Sequence, residues 1–199
     1  MEISSPTGHS AKPELRAALA GSRLALTPEA VAEADARRFS RLTARLARLG
    51  PATVACYVSA EREPGTLELL EEVLEAGTGV LLPVITPGSR EPDWAWWSGE
   101  PLVPGPLGIL APPGARAGAA ALGAADVIIL PGLAGTAGGA RLGRGGGWYD
   151  RALVHARPGV PRWLLLYDTE VMGSLPVDDH DQPVTDLVTE RRWVATRPG

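Results

Sequence analysis

The sequence predicts an α/β fold: a single domain with a mostly parallel sheet flanked by helices. Three observations carry this. Short apolar runs of strand character alternate with helical patterns, the mark of βαβ units. The 199-residue chain is 45% hydrophobic, enough for one sizeable core. A glycine-rich stretch joins a predicted strand to a predicted helix, at the kind of connection where such sheets bind ligands.

The elements follow in order. Residues 1–10 are polar and are expected to be disordered, so the domain is placed at 11–199. A helix over Ala11–Ala20 comes first, with Pro13 in the opening turn, where its missing N–H is tolerated. Thr27-Pro28-Glu29 then supplies an N-cap, a proline at the first helical position and an early acid. Phe39, Leu42, Leu46 and Leu49 recur at helical spacing, and Gly50-Pro51 ends the helix. Arg38, Arg41, Arg45 and Arg48 fall on the other side and read as its solvated face. Strands are expected over Thr53–Val58, Gly79–Ile85, Ala125–Leu130 and Trp163–Tyr167, and helices over Leu67–Glu75 and Trp148–His155. The proline- and glycine-rich segment 86–118 reads as irregular. At least two of its tryptophans, Trp94, Trp96 and Trp97, are expected to pack down.

Composition narrows the chemistry. A net charge of −4 and a pI near 5.4 argue against a general nucleic-acid binder. No segment has the length of a membrane span, and Met1–Ser10 lacks the features of a signal peptide, so a cytoplasmic location is expected. Cys56, the one cysteine, sits in an apolar run and reads as a buried small residue rather than a nucleophile. His9, His155 and His180 are scattered, which argues against a zinc site. Any metal would be held by carboxylates, which points to magnesium.

Residues 132–147 hold eight glycines with Arg141 and Arg144 among them, after the strand and before the helix. Glycine lets backbone N–H groups turn toward a ligand, and arginine adds forked donors for phosphate oxygens. The stretch reads as an anion cradle. It matches neither familiar phosphate loop: G-x-G-x-x-G would need glycine where Trp148 stands, and Gly-Lys-Ser/Thr is absent. Glu63 lies just past the first strand, so it and the cradle are expected at one cleft.

At this point the chain resembles the 5-formyltetrahydrofolate cyclo-ligase family. The resemblance runs in order through Lys12-Pro13-Glu14-Leu15-Arg16, Tyr57, Glu63-Pro64-Gly65-Thr66, Leu82-Pro83-Val84 and Gly108-Ile109. It continues through Pro131-Gly132-Leu133-Ala134, the block from Arg141 to Arg151, Leu175-Pro176, His180-Asp181 and Thr189-Glu190. It implies a Rossmann-like α/β fold of the NagB/RpiA/CoA-transferase-like kind. It also implies ATP- and Mg2+-dependent conversion of 5-formyltetrahydrofolate to 5,10-methenyltetrahydrofolate, with release of ADP and phosphate through a phosphorylated formyl intermediate.

Roles carry over residue by residue. The resemblance gives ATP contacts to Lys12 and Arg16, which four-residue spacing puts on one helical face. It adds Arg141, Leu142, Gly143, Arg144, Gly145, Gly146, Gly147, Trp148 and Tyr149 to the nucleotide side. Arg144 and Asp150 take the catalytic roles, and Asp150 and Asp181 approach magnesium. Val58, Glu63, Leu107 and Trp148 fall on the folate side. The implied partners are small molecules only, with no nucleic acid or membrane, and the implied state is a monomer. The chain departs from the family pattern at Gly135-Thr136 (usually Phe-Asp), Ala111 (usually Glu) and Glu170 (usually Gln). Two other readings remain open on the residues: a nucleotide- or folate-binding homologue with weak turnover, and a phosphate-binding α/β enzyme with another substrate.

Overall fold

The computed structural model describes residues 11–60 and 62–197; the disorder expected over 1–10 lies outside them. The described residues form twelve strands and four α-helices. The strands are β1 Thr53–Ala55, β2 Gly79–Val84, β3 Asp93–Trp97, β4 Val103–Pro104, β5 Leu110–Ala111 and β6 Val127–Pro131. They continue as β7 Ala134–Thr136, β8 Arg141–Leu142, β9 Arg162–Leu165, β10 Val171–Met172, β11 Asp186–Val188 and β12 Trp193–Ala195. The helices are α1 Ala11–Leu24, α2 Pro28–Leu49, α3 Leu67–Glu75 and α4 Trp148–Leu153.

Seven strands form one sheet in the order β12-β11-β9-β6-β1-β2-β3. Its five central strands run parallel. Only the edges, β3 and β12, run antiparallel. Both faces are covered, so the central strands read as unbroken apolar runs. One face packs Leu42 and Leu46 of α2 and Leu69, Leu70 and Val73 of α3 against Val54, Val80, Val127 and Leu165. The other packs Leu122 from the 3-10 turn Ala119–Ala124, with Ala152 and Leu153 of α4, against Leu81, Ile128, Leu130 and Leu164.

Thr27 caps α2 as expected: its Oγ1 accepts from Ala30 N at 3.2 Å, and Gly50 closes the helix at φ 56°. The reading of Arg38 as solvated is corrected. Arg38 is fully buried, because the inward stripe of α2 is Ala34, Arg38, Leu42 and Leu46, each four residues apart. Leu49, expected in that stripe, is 47% exposed. α1 runs four residues past its expected end, and Arg23 in that extension anchors it to the sheet.

Strand β1 is shorter than expected, although Thr53–Val58 are all buried. Beyond Cys56 side chains take over from the ladder, and Thr66 Oγ1 donates to Tyr57 O at 2.7 Å. The segment 86–118 is not wholly irregular, since it holds the edge strand β3 and the small β4–β5 pair. Trp94 and Trp97 are buried there, and Trp96 is exposed.

Candidate active site

Parallel sheets bind ligands beyond the carboxyl ends of their strands, and here the ends of β1, β6 and β9 lie side by side. The glycine-rich stretch leaves β6 and begins as a hairpin, in which β7 pairs with β8 and also with β10. This hairpin brings Arg141 to the site. Arg141 is buried, and its Nη2 donates to Asp150 Oδ1 at 2.7 Å. Asp150 Oδ1 also accepts from Gln182 N at 3.2 Å, so the loop of Asp178–Asp181 is tied to the start of α4.

The glycines then let the backbone double back. Gly145 adopts φ +102°, a conformation closed to most side chains, and the Arg16 guanidinium lies within 3.4 Å of where a Cβ would be. Arg16 Nε donates to Gly143 O at 2.9 Å. Arg151 closes the far end: its Nη1 donates to Gly146 O at 3.1 Å and its Nε to Arg90 O at 2.6 Å. Sequence reasoning gives Arg151 no role, although its place one turn past the glycines is a signal for this contact.

Lys12, the only lysine in the chain, is buried between two carboxylates. Its Nζ lies 2.7 Å from Asp178 Oδ2 and 2.8 Å from Asp181 Oδ2. Burial alone would lower its pKa; the hydrogen bonds to Asp178 and Asp181 outweigh that and raise it. The structure thus pairs Lys12, expected at phosphate, with Asp181, expected at magnesium. Nothing in the sequence sets Asp178 apart from its neighbours. Asp178, His180 and Asp181 have potential ligand atoms within 4.8 Å of one another.

The Glu63 turn meets the cradle directly. Arg144 Nε lies 3.0 Å from Glu63 Oε1, as does Arg144 Nη2, while Glu63 Oε2 accepts from Ala60 N at 2.9 Å. Glu63 is nearly buried and Arg144 is exposed, so a preset carboxylate meets a mobile-ended guanidinium. Trp148 stacks edge-on between Trp94, at 5.2 Å, and Tyr149, at 4.8 Å. The Tyr149 hydroxyl is buried, and burial pushes its pKa well up. That hydroxyl and Arg141 Nε have no hydrogen-bond partner among the described residues. Val58 is buried in the core at the end of the β1 run, and the side chain of Leu107 lies outside those described.

A parallel α/β sheet whose strand ends gather an arginine–glycine cradle, paired carboxylates and a glutamate turn defines an enzyme that handles an anionic ligand. The profile of the 5-formyltetrahydrofolate cyclo-ligase family matches residues 8–190, and the chain belongs to that family. It is 37% identical to the 5-formyltetrahydrofolate cyclo-ligase of Mycolicibacterium smegmatis, over 92% of this chain and 95% of that one. With the Escherichia coli K12 cyclo-ligase it shares 32% identity over 84% and 93% of the two chains. Among solved structures, 5,10-methenyltetrahydrofolate synthetase from Aquifex aeolicus superposes with a TM-score of 0.80 at 29% identity, covering 94% of each chain. The Mycoplasma pneumoniae synthetase, at 19% identity and a TM-score of 0.72, shares the fold.

Proposed function

We infer that this protein converts 5-formyltetrahydrofolate to 5,10-methenyltetrahydrofolate at the expense of ATP. The formyl oxygen takes the γ-phosphoryl group, N10 attacks the activated carbon, and the C–O bond breaks to release phosphate as the ring closes. Phosphorylation turns a poor leaving oxygen into a good one. Such a site needs positioning of two substrates and charge on the transferring phosphoryl group, more than it needs a protein nucleophile.

The observation that carries this reading is the Arg144–Glu63 contact, at 3.0 Å, which joins the cradle to the turn of β1. Glu63 accepts donors on the pterin edge, with Val58, Leu107 and Trp148 as its apolar surroundings. Arg141, Arg144 and the N–H groups from Leu142 to Tyr149 hold the phosphates, with Lys12 and Arg16 completing the wall from α1. The unpartnered Arg141 Nε fits a cradle that a ligand completes. Asp150 and Asp181 offer hard oxygen donors from segments tied through Gln182 N, which suits Mg2+. An ion held there would neutralise phosphate charge. Arg141 and Lys12 hold the same carboxylates in place.

The protein is expected to act as a cytoplasmic monomer on these small molecules alone; no helix among the described residues is long and apolar enough to cross a membrane. The test is to incubate it with 5-formyltetrahydrofolate and Mg-ATP and follow methenyltetrahydrofolate absorbance. Product should accumulate with stoichiometric phosphate release. No absorbance change and no ATP-dependent phosphate would refute the reading. Asp150→Ala should abolish metal-dependent turnover with the fold intact, and unchanged turnover would remove Asp150 from the magnesium site.

A further inference from the structure

Arg38 lies in α2 with no surface exposed at all. Its Nη1 donates to Asp35 Oδ1 at 2.5 Å and its Nη2 to Leu166 O, at the end of β9, at 3.2 Å. The guanidinium lies 5.2 Å from the centre of the Tyr167 ring, and Glu190 Oε2 is 3.8 Å from Nη2. Burying a guanidinium is expensive, and here its donors are met only in part, since Arg38 Nε has no hydrogen-bond partner among the described residues. Something must need it there.

The same oxygen of Asp35 that receives Arg38 accepts a second hydrogen bond, from Gly65 N at 2.9 Å. Gly65 lies two residues past Glu63, in the turn that carries it. A Cβ at this position would lie 2.6 Å from Asp35 Oδ2, so any side chain here displaces either the Asp35 carboxylate or the turn. Other elements grip the same turn. Arg62 is the only non-glycine residue at positive φ among those described, at 61°, and its Nη1 donates to Leu26 O at 2.8 Å. The Tyr57 hydroxyl donates to Pro64 O at 2.7 Å. Backbone strain of this kind persists only where the surroundings over-determine it, and it gathers at functional turns.

We propose that Asp35, set by the buried Arg38, is a positioning residue that fixes the Glu63 turn through Gly65 and thereby sets the affinity for the reduced folate. This rests on Glu63 as the pterin contact. Asp35 touches no substrate. It works through one backbone N–H, on the folate half of the site; the nucleotide half hangs from α1, β8 and α4 and meets the Glu63 turn through Arg144.

That separation gives the test. Steady-state kinetics are measured for both substrates, with calorimetric binding of 5-formyltetrahydrofolate in the absence of ATP. Asp35→Ala should raise the KM and Kd for 5-formyltetrahydrofolate about tenfold, with kcat and the KM for ATP held within about twofold. Asp35→Asn keeps an acceptor for Gly65 N and should recover most of the lost affinity. Gly65→Ala, which pushes the turn off Asp35, should repeat the selective rise.

Parallel rises in both KM values, or an Asp35→Asn variant as impaired as Asp35→Ala, would overturn the proposal. If Asp35→Ala fails the circular dichroism check for folding, Gly65→Ala decides: an unchanged folate KM sinks the idea. Glu63→Ala separates the two levels. Unchanged folate binding there refutes the pterin contact and the proposal with it. Weakened binding there, with Asp35→Ala and Gly65→Ala unaffected, refutes the positioning role alone.

Discussion

Cys56 follows the short strand β1 with its side chain wholly inside the core, and its thiol donates to Tyr57 O at 3.4 Å. Burial pushes its pKa well above that of an ordinary thiol, so almost no thiolate exists at neutral pH. Native protein should therefore resist a thiol-specific reagent such as iodoacetamide and react only after denaturation; rapid labelling of the folded chain would contradict the buried assignment. The inertness of Cys56 was legible from its apolar neighbours. The burial of Arg38 was not, because an arginine run on a helix looks the same whether one member is paired inside or all face water. What decides it is the carboxylates of Asp35 and Glu190 and the Tyr167 ring, and two of these come from more than a hundred residues away. The family block disclosed Arg141, Arg144 and Asp150; their pairing with one another and with Glu63 is tertiary information.

At the scale of elements, the open end of the sheet holds the site and the opposite end holds the strands in register. Asp126, just before β6, accepts from Ala52 N and Thr53 N at 2.9 and 3.0 Å, which locks the starts of β6 and β1 together. Arg157 donates to its other oxygen and, with those N–H groups, holds the carboxyl below the usual carboxylate range against the opposing effect of burial. A depressed pKa means stability present above the unfolded value, about 3.9, and lost as pH falls through the folded value. Asp126→Asn should therefore lower the melting temperature at pH 7, with the gap to the parent closing as the pH drops below about 4. A gap that stays constant with pH would show that the charge is not what matters. The long elements were legible because their periods repeat: Leu67–Glu75 was placed residue for residue. Strands β11 and β12, three residues each, carry no period to read, and β3 is hidden among prolines and glycines.

Across the whole molecule, α1 belongs to the fold through charge more than through apolar packing. Arg23 Nε and Nη2 clasp Glu170 at 2.6 and 2.9 Å, both side chains are buried, and Nη2 also donates to Gly132 O at the exit of β6. At position 170, where the chain departs from the family pattern, the glutamate thus faces a buried guanidinium. At Gly135 a Cβ would lie 2.8 Å from both Leu164 and Leu187, so a larger residue there needs those leucines repacked. Glu170→Ala strands Arg23 without its counter-ion and should cost about 3–5 kcal/mol in denaturant unfolding. A loss below about 1 kcal/mol would mean that solvent reaches the pair. The lone lysine has a different consequence. An amine-directed reagent or a lysine-specific protease finds a single side-chain target in this chain, seated between Asp178 and Asp181 and followed directly by Pro13. Burial and a raised pKa should make tagging of that amine slow in the folded protein, and its acceleration on unfolding would report the loss of the Asp178 and Asp181 contacts.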